Sequence, residues 1–211
     1  MSRRHFLLTT LASLAALSGC QKAGDAASAS SVPPGASGQA SAVVATASAA
    51  AEAMADVQDA YLLAATGSGF STGPTMSART VYVFFDTSCP HCAHLWQAAQ
   101  SLGNQLKIVW IPVGFLRPQS MPQGATILAA SDPVAMMNEN EASVANHGRG
   151  ISVPATVDDE ALMKVRANTS LFKQFQSDSV PLIVFRNAKT GEVGQHAGAV
   201  SGPELLALAS V

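Results

Sequence analysis

The chain has few residues that could bind a polyanion or build a disulfide-stabilised scaffold. Its 211 residues include 12 Lys and Arg against 14 Asp and Glu, and only 12% are charged. No cluster of Lys and Arg could neutralise a run of phosphates, so we do not expect nucleic acid as a partner. The three cysteines, Cys20, Cys89 and Cys92, are too few for a small disulfide scaffold or for a zinc site made of two CxxC pairs.

Residues 1–19 predict an export signal. Arg3 and Arg4 give a basic start, and the apolar stretch that follows is too short to span a bilayer. The small residues before Cys20 resemble a bacterial lipobox, in which this cysteine becomes the lipidated first residue of the mature protein. An ordinary signal peptide with an incidental cysteine is the alternative. The paired arginines fit Tat export as well as a Sec leader, and either route places the protein outside the cytoplasm.

Residues 20–55 predict a flexible tether. They are almost entirely Ala, Ser, Gly, Val and Pro, with no aromatic residue. A segment of this composition cannot bury enough apolar surface to fold, and a tether would let a lipid-anchored domain reach substrates above the membrane. The alternative is a low-complexity segment that has no function. The folded domain is expected to span residues 56–211.

Periodicity predicts an α/β domain in this folded part. Buried strands rich in β-branched and aromatic residues are predicted at residues 80–85, 107–113, 182–185 and 192–199. Helices are predicted at residues 50–66, 93–102, across a proline-punctuated insertion at about 121–176, and after the N-cap Ser201. The first two long strands and their helix form a parallel, right-handed βαβ unit. The whole order predicts a thioredoxin-like fold with a helical insertion.

Cys89-Pro90-His91-Cys92 is a CxxC tetrad between a predicted strand and a predicted helix. Unpaired N–H groups and the dipole at a helix N-terminus favour an anion, which predicts a Cys89 thiolate as nucleophile. Cys92, one turn later, is placed to resolve a mixed disulfide. Pro90 suits the first helical turn because its missing N–H costs nothing there, and His91 is expected to favour the thiolate further. A structural disulfide or half of a metal site is the alternative for a bare CxxC.

Other candidate residues surround the tetrad. Pro181 opens a predicted buried strand, where proline is unusual unless its conformation is special. In thioredoxin-like folds a cis proline faces the CxxC, so we predict a cis Val180–Pro181 bond, with an ordinary trans proline as the alternative. Asp86, three residues before Cys89, could move protons or tune the thiolate, or it could be a solvated acid at the strand end. His94 could contribute to a metal site, but an exposed helix histidine is favoured.

Residues 81–92 resemble the active-site strand and helix of the DsbG/DsbC family of periplasmic thiol:disulfide interchange proteins. The resemblance continues at residues 111–114 and 125–133 and resumes at residues 180–183, so that it covers roughly residues 78–210. It implies a periplasmic thioredoxin fold with a helical insertion and a role in disulfide isomerisation or cysteine reduction. We also expect client proteins with cysteines or disulfides as partners, together with a membrane redox partner.

The chain departs from that family in two places. Family members carry an N-terminal dimerisation domain, whereas the low-complexity residues 20–55 leave no room for one, so a monomer is expected. The residue before the cis proline is usually Thr in that family and is Val180 here. Val180 and the Pro90-His91 dipeptide resemble the dithiol oxidase DsbA. Oxidase, reductase and isomerase activities therefore all stay open.

Three functions are compatible with these patterns. The leading hypothesis is an enzyme that needs no cofactor, in which Cys89 forms a mixed disulfide with a client and Cys92 resolves it. The second is a copper(I)-handling module with Cys89, Cys92 and His94 as ligands; the lack of a methionine-rich loop near the tetrad argues against it. The third is a redox-silent lipoprotein that holds client proteins.

Overall fold

The computed structural model describes residues 60–209. The predicted export signal, the predicted lipidation site Cys20, the predicted tether and most of the first predicted helix lie outside the described residues. In chain order the elements are α1 (60–64), β1 (Phe70–Thr72), β2 (Thr80–Phe85), α2 (Pro90–Gln100), β3 (Lys107–Pro112), α3 (Ser120–Ala129), α4 (Pro133–Ala145), α5 (Asp159–Gln174), β4 (Leu182–Arg186), β5 (Val193–Ala197) and α6 (Gly202–Leu208).

Within residues 60–209 the strands form one five-stranded sheet in the order β1-β3-β2-β4-β5. β2 and β3 are parallel and α2 connects them, so the predicted βαβ unit is confirmed. β4 pairs antiparallel with β2, and β5 pairs antiparallel with β4. β2 therefore lies in the centre of the sheet, and its carboxyl end delivers the chain directly to the tetrad.

The sequence did not predict β1, which pairs antiparallel with β3 at one edge of the sheet. Three residues are too few to show the two-residue alternation of a strand. Gly69 and Gly73, which flank β1, suggested only a break. A Cβ at Gly69 would meet the carbonyl oxygen of Trp110, and one at Gly73 would meet that of Leu106. These glycines therefore allow β1 to approach β3 closely.

The core lies on both faces of the central strands. Phe84 and Phe85 at the end of β2 are fully buried, as are the β3 residues Trp110 and Ile111. Trp96 of α2 packs against Trp110 with ring centroids 4.9 Å apart, which confirms its predicted place in the core. Burying one such side chain contributes about 1.5–3 kcal/mol. This packing gives the junction between β2 and α2 a rigid support.

The helical insertion consists of α3, α4 and α5, as predicted. α3 packs against α5, and α4 packs against α2. The predicted acidic start of α5 is confirmed, because the Asp158 side chain accepts a hydrogen bond from the N–H of Ala161. At α6, Ser201 and Glu204 form a capping box, which confirms the predicted N-cap. The insertion thus covers one side of the tetrad.

No helix within residues 60–209 combines the length and the apolar character needed to cross a membrane.

Candidate active site

The tetrad lies at the junction that the sequence predicts. β2 ends at Phe85, Cys89 is the N-cap of α2, and Pro90 occupies the first helical turn. The N–H groups of Cys92 and Ala93 donate to the carbonyl oxygen of Cys89 at 3.1 and 3.2 Å. The Cys89 residue is 3% exposed, whereas Cys92 is 0% exposed. Of the two thiols, Cys89 is therefore the one that a substrate can reach.

The two thiols differ in acidity. A hydrogen bond from the Cys92 side chain, together with the backbone N–H groups of Cys92 and His91, lowers the pKa of Cys89 to about 7 against the opposing effect of burial. Burial raises the pKa of Cys92 well above its ordinary value. Cys89 is therefore the thiol that ionises near neutral pH, whereas Cys92 remains protonated. The predicted contribution of helix N-terminal N–H groups matches this pattern, whereas the hydrogen bond between the cysteines was not foreseen.

The Val180–Pro181 peptide bond is cis, which confirms the prediction. Cys89 Sγ donates a hydrogen bond to the carbonyl oxygen of Val180 at 3.3 Å. Gly198 donates its N–H to the carbonyl oxygen of Pro181 at 2.8 Å, which ties the segment to the residue that follows β5. The start of β4 is thereby held against the reactive sulfur.

Asp86 is fully buried, so the interpretation as a solvated acid is wrong. Its Oδ1 accepts hydrogen bonds from the Ser88 N–H at 2.8 Å and the Ser120 hydroxyl at 2.6 Å. Its Oδ2 accepts hydrogen bonds from the N–H groups of Phe115 and Leu116, both at 2.8 Å. Asp86 therefore joins the tetrad loop to the loop after β3 and to the start of α3.

A buried polar network continues from Asp86 into the insertion, and sequence reasoning missed it. The Thr87 hydroxyl donates to Gln123 Oε1 at 2.9 Å, and Asn140 Nδ2 donates to the Thr87 carbonyl oxygen at 3.0 Å. Gln123 Nε2 in turn donates to the carbonyl oxygens of Arg149 and Ile151. The signal in the sequence was weak, since polar residues within a helix usually face solvent.

Glu141 is the second unforeseen feature, and it lies on α4 with 0% exposure. Asn140 Nδ2 donates to Glu141 Oε1 at 3.1 Å, and Oε2 has no hydrogen-bond partner in the described part of the chain. Burial raises the pKa of Glu141 to about 8, and the charges of Cys89 and Asp86 also raise it. Glu141 in turn raises the pKa of Cys92. The Glu141 carboxyl therefore affects the acidity of both thiols electrostatically.

Comparison with known proteins places this site in context. No protein-family model matches the chain. The thiol:disulfide interchange protein DsbG of Escherichia coli is 31% identical over 107 residues, which are 50% of this chain and 42% of that protein. DsbG of Pseudomonas aeruginosa is 26% identical over 135 residues, which are 63% of this chain and 52% of that protein. The chain thus spans about half the length of these curated relatives.

A solved structure covers more of the chain. The catalytic domain of Proteus mirabilis ScsC superposes with a TM-score of 0.59 at 16% identity, covering 75% of this chain and 96% of that domain. The chain also shares its fold with a periplasmic thioredoxin-like protein from Salmonella enterica, which superposes with a TM-score of 0.55 at 17% identity, covering 73% of this chain and 94% of that chain. The fold class predicted from the sequence is confirmed, including the helices inserted between β3 and β4.

The fold brings the two cysteines together, but it does not bring the three predicted copper ligands together. Within residues 60–209 no three Cys, His, Asp or Glu side chains are grouped as metal ligands. His94 lies on the exposed face of α2, where its ring centroid is 6.1 Å from that of His91. The favoured interpretation of His94 as an exposed helix histidine is confirmed. The described residues do not support a copper site built from Cys89, Cys92 and His94.

Proposed function

We propose that the chain is an exported protein-disulfide oxidoreductase that exchanges disulfides with client proteins through Cys89 and Cys92. The observation that carries the proposal is the contrast between the two thiols. Cys89 has a pKa lowered to about 7 and slight exposure, as a nucleophile requires. Cys92 is buried with a raised pKa, as suits a resolving thiol that waits for the mixed disulfide.

The reduced pair acts on a client disulfide in two steps. The Cys89 thiolate attacks one client sulfur, forming a mixed disulfide and releasing the other client sulfur as a thiolate that takes up a proton. Cys92 then loses its proton and attacks Cys89 Sγ, which releases the second client thiol and leaves a Cys89–Cys92 disulfide. The client gains two electrons and the pair loses two. The same steps in reverse oxidise a client dithiol.

The acidity of Cys89 bears on the direction of exchange. Nucleophilic cysteines in CxxC motifs have pKa values from about 3.5 in DsbA to about 7 in thioredoxin. The value of about 7 for Cys89 lies at the thioredoxin end. A less acidic thiol stabilises the reduced form less, so its disulfide is a weaker oxidant. This favours reductase or isomerase activity over the oxidase that Pro90-His91 and Val180 suggested.

The roles of the surrounding residues are part of the proposal. Pro181 faces the cysteines and helps to present backbone for pairing with a substrate peptide. Pro90, His91, Asp86 and Val180 tune the thiolate. The His91 imidazole is exposed, so its effect on Cys89 would be exerted through solvent, unlike that of the His91 backbone N–H.

We further propose that the protein acts in the periplasm as a monomer on a lipid anchor at Cys20, after Tat or Sec export. The support comes from the sequence of residues 1–55, with its basic start, short apolar stretch, lipobox-like ending and Ala/Ser-rich tether. A thiol pair that exchanges disulfides also requires a partner to restore it, for which a membrane redox protein is proposed.

The decisive experiment measures exchange in both directions. The protein is equilibrated with glutathione buffers of known potential to obtain the potential of the pair, and insulin reduction and oxidation of a reduced test protein are followed in parallel. Cys89→Ser should abolish both activities. A Cys92→Ala variant should trap clients as mixed disulfides on Cys89, which identifies them. A pair that is inert in both directions would refute the proposal.

A further inference from the structure

A polar cleft opens beside the tetrad. It has a volume of about 330 Å³, which falls within the range of about 300–1,000 Å³ found for ligand pockets. Ser88 and Pro90 line one part of it, and Arg117 and Arg149 line others. Since Ser88 and Pro90 flank Cys89 in the sequence, the cleft reaches the residues on both sides of Cys89.

The cleft is basic. Arg117 and Arg149 supply two guanidinium groups, His147 adds an imidazole, and none of the lining residues is Asp or Glu. In the part of the chain that the structure describes, the ion pair present joins Lys164 to Glu160, so neither guanidinium has a carboxylate partner there. A guanidinium presents a planar fork of N–H donors that matches a carboxylate.

The backbone that carries both arginines is fixed from the interior. The carbonyl oxygen of Arg149 accepts a hydrogen bond from the buried Gln123 side chain at 2.7 Å. Leu116, immediately before Arg117, donates its N–H to the buried Asp86 at 2.8 Å. The backbone that carries both arginines is therefore ordered, which lowers the backbone entropy lost when a ligand binds in the cleft.

The end of α4 does not need these basic side chains. Basic residues near a helix C-terminus often bind its last carbonyl oxygens. Here backbone N–H groups already donate to those oxygens, from Asn146 to Ala142, from His147 to Val144 and from Gly148 to Ser143. The charge of the cleft is thus available for a ligand.

We propose that this cleft binds a carboxylate carried by the thiol or disulfide substrate of Cys89, close to the reacting sulfur. The proposal rests on the proposed function, because it names a substrate feature that the same site selects. The carboxylate makes and breaks no covalent bond; it positions the substrate sulfur beside Cys89. Two sources present this chemistry, namely an acidic side chain next to a client cysteine and the carboxylates of glutathione.

The test compares matched peptide thiols. Two peptides that differ only in Glu or Gln beside a single cysteine react with the oxidised full-length protein, and mass spectrometry gives the second-order rate of mixed-disulfide formation. The variants are Arg117→Gln, Arg149→Gln and the double substitution. Arg166→Gln is the matched control, since Arg166 is exposed on α5 and does not line the cleft.

We expect the rate ratio of the Glu peptide to the Gln peptide to fall by about two- to fivefold for each arginine removed, the size of an exposed ion pair. Arg166→Gln should leave this ratio as in the wild type. Comparing ratios between variants cancels the effect of Glu on the acidity of its own peptide thiol. Higher salt should lower the ratio of the Glu-peptide rate to the Gln-peptide rate in the wild type, because salt screens the ion pair. Equal ratios in the wild type and the double variant would overturn the proposal for peptides.

A second arm separates the two sources. Glutathione and its carboxyl-esterified form replace the two peptides. If the double variant loses the preference for the free carboxylate only with glutathione, the cleft binds a small thiol. If it loses the preference for Glu over Gln only with the peptides, the cleft binds acidic segments of client proteins. No loss in either arm overturns the proposal altogether. Failure of the proposed function differs from all of these, because then the Gln peptide reacts no faster with the wild type than with Cys89→Ser.

Discussion

The Cys89 thiol donates a hydrogen bond of 3.3 Å to the carbonyl oxygen of Val180, 91 positions further along the chain. This bond exists only while Cys89 is protonated, because a carbonyl oxygen cannot donate to a thiolate. The hydrogen bond from Cys92 acts in the opposite sense, since it lowers the pKa of Cys89. The two contacts therefore stabilise different protonation states of the same sulfur.

Replacing Cys92 tests this balance. In Cys92→Ala the main cause of the lowered pKa is lost, and we expect the pKa of Cys89 to rise from about 7 towards its ordinary value of 9.0. The rate of Cys89 alkylation as a function of pH, followed by peptide mass spectrometry, gives the midpoint. Cys92→Ser is the matched control, because its hydroxyl keeps a hydrogen-bond donor and should shift the midpoint less. An unchanged midpoint in Cys92→Ala would contradict the assigned cause.

Glu141→Gln should change how stability depends on pH. The pKa of Glu141 is raised from its ordinary value of 4.5 to about 8 in the folded chain. Between these pKa values the folded state holds a proton that the unfolded state releases. The Glu141 carboxyl therefore lowers the free energy of unfolding as pH rises from about 5 to 8. The wild type should therefore lose a few kcal/mol more than Glu141→Gln over that interval.

Denaturant unfolding at several pH values measures this difference. Comparing slopes with pH, and not absolute stabilities, removes the effect of placing an amide at a buried position. Glu139→Gln is the control, since Glu139 lies on the same helix and is exposed. If the free energy of unfolding changed equally with pH in the wild type and in Glu141→Gln, the Glu141 carboxyl would not titrate in this range.

Asp86→Asn should destabilise the fold. Each carboxylate oxygen of Asp86 accepts two hydrogen bonds from the described part of the chain, so either orientation of an Asn side chain turns its NH₂ group towards two donors. Leaving two buried donors unpaired costs about 2–6 kcal/mol in the free energy of unfolding, at about 1–3 kcal/mol for each donor. Urea denaturation measures it, with the exposed Asp178→Asn as control. A loss no larger than that of the control would exclude a structural role for Asp86.

Gly73→Ala tests the close approach of β1 and β3. Gly73 and Gly191 have similar positive φ values of 82° and 74°, but only at Gly73 would an added Cβ meet a backbone atom, the Leu106 carbonyl oxygen. Gly191→Ala should cost about 1–2 kcal/mol through its backbone conformation. Gly73→Ala should cost clearly more, because β1 must also move. Equal losses of thermal stability would mean that the contact with Leu106 relaxes freely.

Local patterns in the sequence predicted the features that depend on neighbouring residues. The strand–tetrad–helix junction at Cys89, the capping box at Ser201 and the helical insertion follow from hydrophobic periodicity and capping residues. The cis bond at Pro181 was predicted because this proline opens a buried strand and because a cis proline faces the CxxC in thioredoxin-like folds. The signals for the junction and the capping box lie within a few residues of these features, whereas the cis bond also required knowledge of the thioredoxin-like fold, because Val180 lies 91 positions after Cys89.

The missed features depend on contacts between distant segments. Asp86 meets Ser120 across 34 positions, and Asn140 meets Thr87 across 53. No local pattern distinguishes Glu141, which is buried, from Glu139 two residues earlier, which is exposed. The acidity of Cys89 depends on the orientation of Cys92 and on burial, which only the folded chain determines.

The division of the site between two parts of the chain has a consequence for its evolution. Helix α2 and its N-cap supply the two sulfur atoms, whereas α4 supplies Glu141, whose carboxyl raises the pKa of Cys92. Substitutions in the insertion can therefore retune proton affinity at the cysteines while the tetrad stays unchanged. Two chains with the same Cys-Pro-His-Cys tetrad can therefore differ in the acidity of their cysteines through residues of the inserted helices.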